Sequence, residues 1–182
     1  MPYKKRVYVP ERFYHIVSRG NRRDPLFRYV GDYRAFLHIL LQLYEKHPFE
    51  LASYCFMTNH YHLQIRSKEI SISKLMALIN KRYANYYNTK YSLSGHVYEK
   101  RFFDKMIDDR AGMLEVSRYI HLNPIEAKIV KLPENYPWSS YRYYKNKDNK
   151  MPVFMNLASL LDFFDGTERQ KREKYCNAVW SQ

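Results

Sequence analysis

From His60 to Arg66 the chain alternates without a break: His60, His62, Gln64 and Arg66 take one parity, and Tyr61, Leu63 and Ile65 take the other. A period of two belongs to a strand with one buried and one polar face, because successive side chains of a strand leave opposite sides. Whatever this chain folds into must contain a sheet that buries the apolar set and turns two imidazoles away from it. Leu51 to Met57 reads as the hairpin partner of this strand, the two joined by a tight turn at Thr58-Asn59.

The flanking sequence supplies the rest of such a sheet. Phe13 to Arg19 is β-branched and aromatic, bounded by Pro10 and by Gly20-Asn21, and reads as a first strand. Asp32 is placed to cap a helix in which Phe36, Ile39, Leu40, Leu43 and Tyr44 recur at helical spacing, ended by His47-Pro48. A second helix runs from about Ser71 to Tyr91, with Ile72, Leu75, Met76, Ile79, Tyr83, Tyr86 and Tyr87 on one side. Tyr98 to Ile107 is a further strand, and Asp108 or Asp109 caps a third helix reaching Asn123-Pro124. Strand, helix, strand, strand, helix, strand, helix is the order of a ferredoxin-like, RRM-like α+β fold: an antiparallel sheet with helices on one face. One helix is left over, free to approach the other face. Beyond Val130 the sequence turns irregular, with terminal helices expected over Asn156–Phe164 and Glu168–Trp180.

Composition excludes several classes of function. With 182 residues, 46% hydrophobic and 17% aromatic, the chain holds enough apolar surface to fold. Its longest apolar stretch, Ala35 to Tyr44, is interrupted by His38 and Gln42 and is too short to span a bilayer. The start, Met1 to Arg6, is basic but has no apolar stretch behind it, so no secretory signal is expected. Cys55 and Cys176 are too few for a zinc cluster or a disulfide framework, which suits a reducing cytoplasm. The formal charge of +13 and a pI near 9.6 predict attraction to a polyanion. Residues 1 to 34 hold nine Lys/Arg against three acids, and residues 66 to 110 hold ten against five. In the second region the charge is interleaved with Tyr83, Tyr86, Tyr87, Tyr91, Tyr98, Phe102 and Phe103, a pattern suited either to stacking bases beside phosphates or to a core.

The imidazoles on the polar parity narrow the chemistry further. Two neutral imidazoles on one face of a strand make half of a metal site. A dinuclear zinc hydrolase would continue with Asp and His where Gln64 and Ile65 stand, and a two-histidine phosphoesterase would need paired His-X-Ser/Thr motifs that do not occur. A third ligand must therefore come from another element. On the third helix Tyr119 and Asn123 are four apart and share a face, while Met113, Val116 and Ile120 form the packing side. Such a helix would bring a phenol and an amide oxygen to the histidine face together. A phenol is a poor nucleophile unless a metal or base assists, and spacing alone does not single out Tyr119 among 19 tyrosines.

Five blocks in order resemble those of the single-tyrosine HUH transposases, and within them the REP-associated tyrosine transposases: Tyr14-His15-Ile16-Val17-Ser18-Arg19-Gly20-Asn21, Met57-Thr58-Asn59-His60-Tyr61-His62-Leu63, Gly95-His96-Val97-Tyr98-Glu99-Lys100-Arg101-Phe102, Tyr119-Ile120-His121-Leu122-Asn123-Pro124-Ile125-Glu126-Ala127 and Tyr136-Pro137-Trp138-Ser139-Ser140-Tyr141. The resemblance implies an enzyme that cuts and rejoins single-stranded, hairpin-forming DNA. It implies a divalent ion, Mg²⁺ or Mn²⁺, on His60 and His62, with Asn123 in the place of a third ligand. Tyr119 would attack the scissile phosphate, giving a 5′-phosphotyrosine and a free 3′-hydroxyl. Arg19, Arg101 and Lys105 are candidates for phosphate contacts. Glu115, one turn before Tyr119, reads as a solvated helix residue, and His15 and His96 carry no assigned step. The expected organisation is a catalytic domain over residues 1–130 and a C-terminal extension over 131–182. The expected setting is cytoplasmic, with the nucleoid when DNA is bound, as a monomer or homodimer. Two alternatives stay open: a non-catalytic single-strand-binding module, and a metal-dependent phosphodiesterase that uses water.

Overall fold

The computed structural model describes residues 8–181; the basic start Met1 to Arg6 lies outside them. Four strands, β1 (Tyr14–Arg19), β2 (Phe49–Phe56), β3 (His60–Ser67) and β4 (Phe103–Met106), form one sheet in the order β2-β3-β1-β4, every neighbouring pair antiparallel. This is the ferredoxin-like α+β arrangement expected from the order of strands and helices.

Helices α1 (Val30–Lys46) and α2 (Ile72–Tyr91) cover one face of the sheet. Tyr61, Leu63 and Ile65 are fully buried there, with Phe36 of α1 against Tyr61 at 4.7 Å between ring centroids. Removing such side chains from water supplies roughly 1.5–3 kcal/mol each. Ser71 caps α2 by accepting the N–H of Lys74. Asp32, expected as the cap of α1, instead sits inside its first turn. Tyr29 is the capping residue, and the Asp32 carboxylate accepts the N–H groups of Arg28 and Tyr29 at 2.8 and 2.9 Å. It also accepts hydrogen bonds from Tyr86, Tyr91 and Lys90 of α2 and so ties the two helices together. These donors hold the carboxyl at about 2, against a burial that alone would push it up.

Helix α3 (Arg110–Glu126) crosses the opposite face, its first turn capped by Asp109, which accepts the N–H of Gly112 at 2.7 Å. It does not stop at Asn123-Pro124: it runs two residues past the proline to Glu126, and the N–H of Ala127 reaches the Asn123 carbonyl. The strand expected over Tyr98–Ile107 is confined to β4, with Tyr98 making only an isolated bridge to Gly20. Gly20 is required where it stands, since a Cβ there would lie 2.1 Å from the Asp24 carbonyl oxygen.

The later segment adds α4 (Tyr141–Lys145), α5 (Ala158–Leu161) and α6 (Glu168–Trp180). It docks by backbone as well as by side chains. Leu51 of β2 bridges to Met155, Cys55 bridges to Ser139, and the Ser140 hydroxyl accepts the N–H of Tyr54 at 2.8 Å. Trp138 stacks on Tyr33 of α1 at 4.4 Å. Tyr144 and Tyr175 close the far side of α3 as part of the main core. No described helix is long and apolar enough to cross a membrane.

Candidate active site

The histidine face is assembled by strand register. In β1 and β3, Val17 lies opposite His62, Arg19 opposite His60, and His15 opposite Gln64. His15, Val17 and Arg19 therefore share the face of His60 and His62. β4 adds Phe103 opposite Val17 and Lys105 opposite His15.

Helix α3 covers only part of this face. Its Met113 carbonyl accepts a hydrogen bond from the buried Gln64 amide at 3.0 Å, and Ile120 packs with Cys55, Met57 and Tyr136 over β2. The half over β1 and β4 stays open to solvent. Phe103 is 51% exposed and Tyr119 is 44% exposed along that opening. A cleft of about 360 Å³ between β4 and α3 is lined by His15, Lys105, Glu115 and Tyr119.

Three of the expected residues converge with Tyr119. The Tyr119 ring stands edge-on to His62 at 5.4 Å and to His15 at 5.8 Å. Asn123, one turn further along α3, sets its Oδ1 3.4 Å from Nε2 of His60. The other nitrogen of His60, Nδ1, donates to Oδ1 of Asn59 at 2.7 Å. In that tautomer Nε2 carries a lone pair, so it and the Asn123 oxygen are two acceptors face to face. Nε2 of His62 is buried and has no hydrogen-bond partner among the described residues. Buried acceptors facing one another are costly unless a cation shares them. The donor set of two imidazole nitrogens and an amide oxygen thus fits a divalent ion. No group of three His, Cys, Asp or Glu placed to hold a metal ion occurs among the described residues; the third donor here is an amide.

Electrostatics keeps these imidazoles neutral. Burial lowers His62 well below the ordinary histidine value, helped by His60, His15 and Arg19. His60 is lowered by burial and by Arg19, against a raising contribution from Asn123. His15 is lowered to about 4 by burial and by Lys105. Unprotonated imidazole is the form that ligates a metal.

Of the three cations expected at phosphates, Arg19 is exposed on the histidine face and Lys105 is exposed at the mouth of the cleft. Arg101 is exposed in the segment leading into β4. Glu115 is exposed and solvated. Among the aromatics considered for base stacking, Tyr83, Tyr87 and Phe102 belong to the core, and Phe103 is the one that faces the site in the open. His121 points away from the site, into a pocket of its own. Of the two histidines that sequence reasoning left without a role, His96 is exposed and His15 joins the site: its Nε2 lies 3.1 Å from Nδ1 of His62. The signal was present in the sequence, since His15, Val17 and Arg19 share a parity, but the pairing of β1 with β3 is needed to use it.

Comparison with known protein families gives its class, the transposases. Residues 8–123 match the model of the IS200-like transposases, and the chain belongs to that family. Among similar proteins is one from Haemophilus influenzae described as a REP-associated tyrosine transposase, 26% identical over 154 residues, covering 78% of this chain and 83% of that protein. A solved structure of a REP-associated tyrosine transposase bound to a REP hairpin superposes with a TM-score of 0.67 at 19% identity, covering 86% of this chain and 93% of the other. At that identity the likeness establishes the shared fold. The family assigns the activity, DNA strand transfer by a transposase.

Proposed function

We propose that the chain cleaves and rejoins single-stranded DNA next to a hairpin, with Tyr119 as the nucleophile and His60, His62 and Asn123 holding a divalent ion. The observation that carries this reading is the grouping of the His60 and His62 rings, 5.0 Å between centroids, with Oδ1 of Asn123 3.4 Å from Nε2 of His60, an unpartnered buried Nε2 on His62, and an exposed tyrosine edge-on to His62. A hairpin partner is supported by the relative of known structure, which is bound to one.

The residues divide the work. Oxygen of Tyr119 forms a bond to phosphorus while the bond to the 3′ oxygen of the preceding nucleotide breaks. The phenolic proton departs, the leaving oxygen gains one, and the 5′ end stays on the tyrosine. That phosphotyrosine retains the energy of the phosphodiester, so a second strand's 3′-hydroxyl can reverse the step with no nucleotide hydrolysed. An ion bound to His60, His62 and Asn123 would supply Lewis-acid polarisation of a non-bridging phosphate oxygen. Imidazole donors favour softer ions than Mg²⁺, which makes Mn²⁺ the better probe of the site even though Mg²⁺ is the commoner ion in cells. Arg19 and Lys105 flank the phosphate path, and the exposed ring of Phe103 offers a flanking base a surface on which to stack. All of these residues precede residue 130, which supports keeping 1–130 as the catalytic part and 131–182 as an extension that buttresses α3. With DNA as substrate, the chain works in the cytoplasm, at the nucleoid when bound.

The test incubates the protein with hairpin-bearing single-stranded oligonucleotides and Mn²⁺ or Mg²⁺, then resolves the products on a denaturing gel. Wild type should form a covalent protein–DNA adduct that Tyr119→Phe does not. Cleavage without adduct would instead favour attack by water. Binding with neither cleavage nor adduct, across many hairpin sequences, would favour a non-catalytic module.

A further inference from the structure

A strand histidine that serves as a metal ligand must keep Nε2 bare and its ring from turning. We propose that His15 enforces both on His62, by accepting the proton on Nδ1 of His62 through its own Nε2. His15 is thus a positioning residue for the ion site, and this inference rests on the metal reading of His60 and His62 given above.

The geometry is that of a diagonal cross-strand pair. His15 lies opposite Gln64 and so two residues along from His62, within reach of its ring. The nitrogens are 3.1 Å apart, and the rings are nearly parallel, 5.3 Å between centroids at 22°. Between two neutral imidazoles only one can donate. If His15 donated, His62 would carry its proton on Nε2, which is buried without an acceptor. A buried donor left unpaired is the rarer and costlier outcome. If His62 donates, Nε2 presents a lone pair toward the side where His60 and Asn123 present theirs. That second arrangement satisfies every nitrogen of the pair that faces the site once an ion is bound.

His60 is held by the same device with a different acceptor. Its Nδ1 donates to the side-chain oxygen of Asn59, and an amide oxygen accepts without ambiguity. The two ligands are therefore oriented from opposite sides, His60 from the hairpin turn and His62 from β1. Outer partners of this kind typically change metal affinity 10- to 100-fold when removed. His15 does something Asn59 does not: its ring also meets Tyr119 edge-on. One side chain thereby sets the relative position of a ligand and the nucleophile.

The test uses the full chain without DNA, with Mn²⁺ as the probe and three substitutions at one position. His15→Gln places an acceptor at a similar reach, His15→Phe stacks on His62 but cannot accept, and His15→Ala does neither. Mn²⁺ affinity measured by calorimetry should fall about tenfold or more in the Phe and Ala variants and stay within about threefold of wild type in the Gln variant. Nitrogen-15 NMR of the metal-free protein reads the tautomer directly. His62 should carry its proton on Nδ1 in wild type and His15→Gln, and the Nε2 form should emerge in His15→Phe. Urea unfolding in chelator confirms that each variant is folded. Wild-type Mn²⁺ affinity in His15→Phe, or loss in Gln equal to that in Phe, would overturn the proposal. A wild type that binds Mn²⁺ no better than His60→Ala overturns the metal reading, while the NMR result still decides whether His15 sets the tautomer.

Discussion

Two buried histidines in this molecule look alike by burial and by charge, yet their surroundings differ at one atom. His121 in α3 has both ring nitrogens partnered, Nε2 with the Ser140 hydroxyl at 2.9 Å and Nδ1 with the Tyr175 hydroxyl at 2.9 Å. His62 in β3 has Nδ1 partnered by His15 and Nε2 by nothing among the described residues. Burial lowers both, His121 to about 3 and His62 well below the usual range. Depressed basicity is thus common to a structural and a functional imidazole; the unpaired buried nitrogen is what separates them. The two sit on either side of α3, whose inner side presents Tyr119 and Asn123 to the sheet while His121 anchors its outer side to α4 and α6.

The contrast is broken most severely at the site. Tyr119→Phe and His62→Ala should each lower cleavage by about a thousandfold or more. Binding of hairpin DNA should stay within about threefold of wild type, because backbone contacts dominate affinity. Gel-shift and cleavage assays on one protein preparation check both. Loss of binding in parallel with cleavage would mean that His62 holds the fold together, as His121 does.

At His121 the order of effects should reverse. His121→Ala takes one hydrogen-bond partner from each of the Ser140 and Tyr175 hydroxyls and leaves a cavity, so urea unfolding should show a loss of about 3 kcal/mol. Cleavage per folded molecule should hardly change. The pH dependence sharpens this further. A histidine kept neutral in the fold binds a proton on unfolding, so its stability contribution is lost as pH falls below the unfolded value near 6.5 and continues to fall toward about 3. At pH 5 the number of protons taken up on unfolding should be about one smaller in His121→Gln than in wild type.

Asp32 offers an acid-side counterpart far from both histidines. Its carboxyl is lowered to about 2, so the stability it contributes is present above pH 4 and lost as pH falls through 2. Asp32→Asn should lose about 1–2 kcal/mol at neutral pH, discounted because Lys90 is partly solvated, and should show a shallower acid transition. The smallest effects belong to the rim. Arg19→Ala and Lys105→Ala should each weaken DNA binding modestly and reduce the slope of log affinity against log salt by about one.

Much of this was legible in the chain because period-two alternation is a strict constraint. His60, Tyr61, His62, Leu63 and Ile65 fix which face is core, and the spacing of Tyr119 and Asn123 fixes which residues of α3 travel together. The partner of His62 was not legible, because His15 lies 47 residues earlier and reaches it only through the pairing of β1 with β3. Nor was the role of Asp32, whose hydrogen-bond donors come from Arg28 and Tyr29 just before α1 and from Tyr86, Lys90 and Tyr91 of α2. The aromatics showed the limit of composition: Tyr83 and Phe102 resemble Phe103 in sequence, yet only Phe103 is turned out on the site's open side. Helix α4 escaped notice because Tyr141, Tyr143 and Tyr144 are buried by contacts with β2 and α6 rather than by any periodic pattern of their own.

The most direct test of the central claim is to find the atom that holds the DNA. After reaction with a hairpin oligonucleotide and Mn²⁺, the denatured adduct is digested with nuclease and trypsin, and the peptides are sequenced by mass spectrometry. The account predicts a nucleotide remnant on the peptide from Tyr119 to Lys128, attached at Tyr119 through a 5′ phosphate. A remnant on another residue, or cleaved DNA with no protein attached, would contradict it.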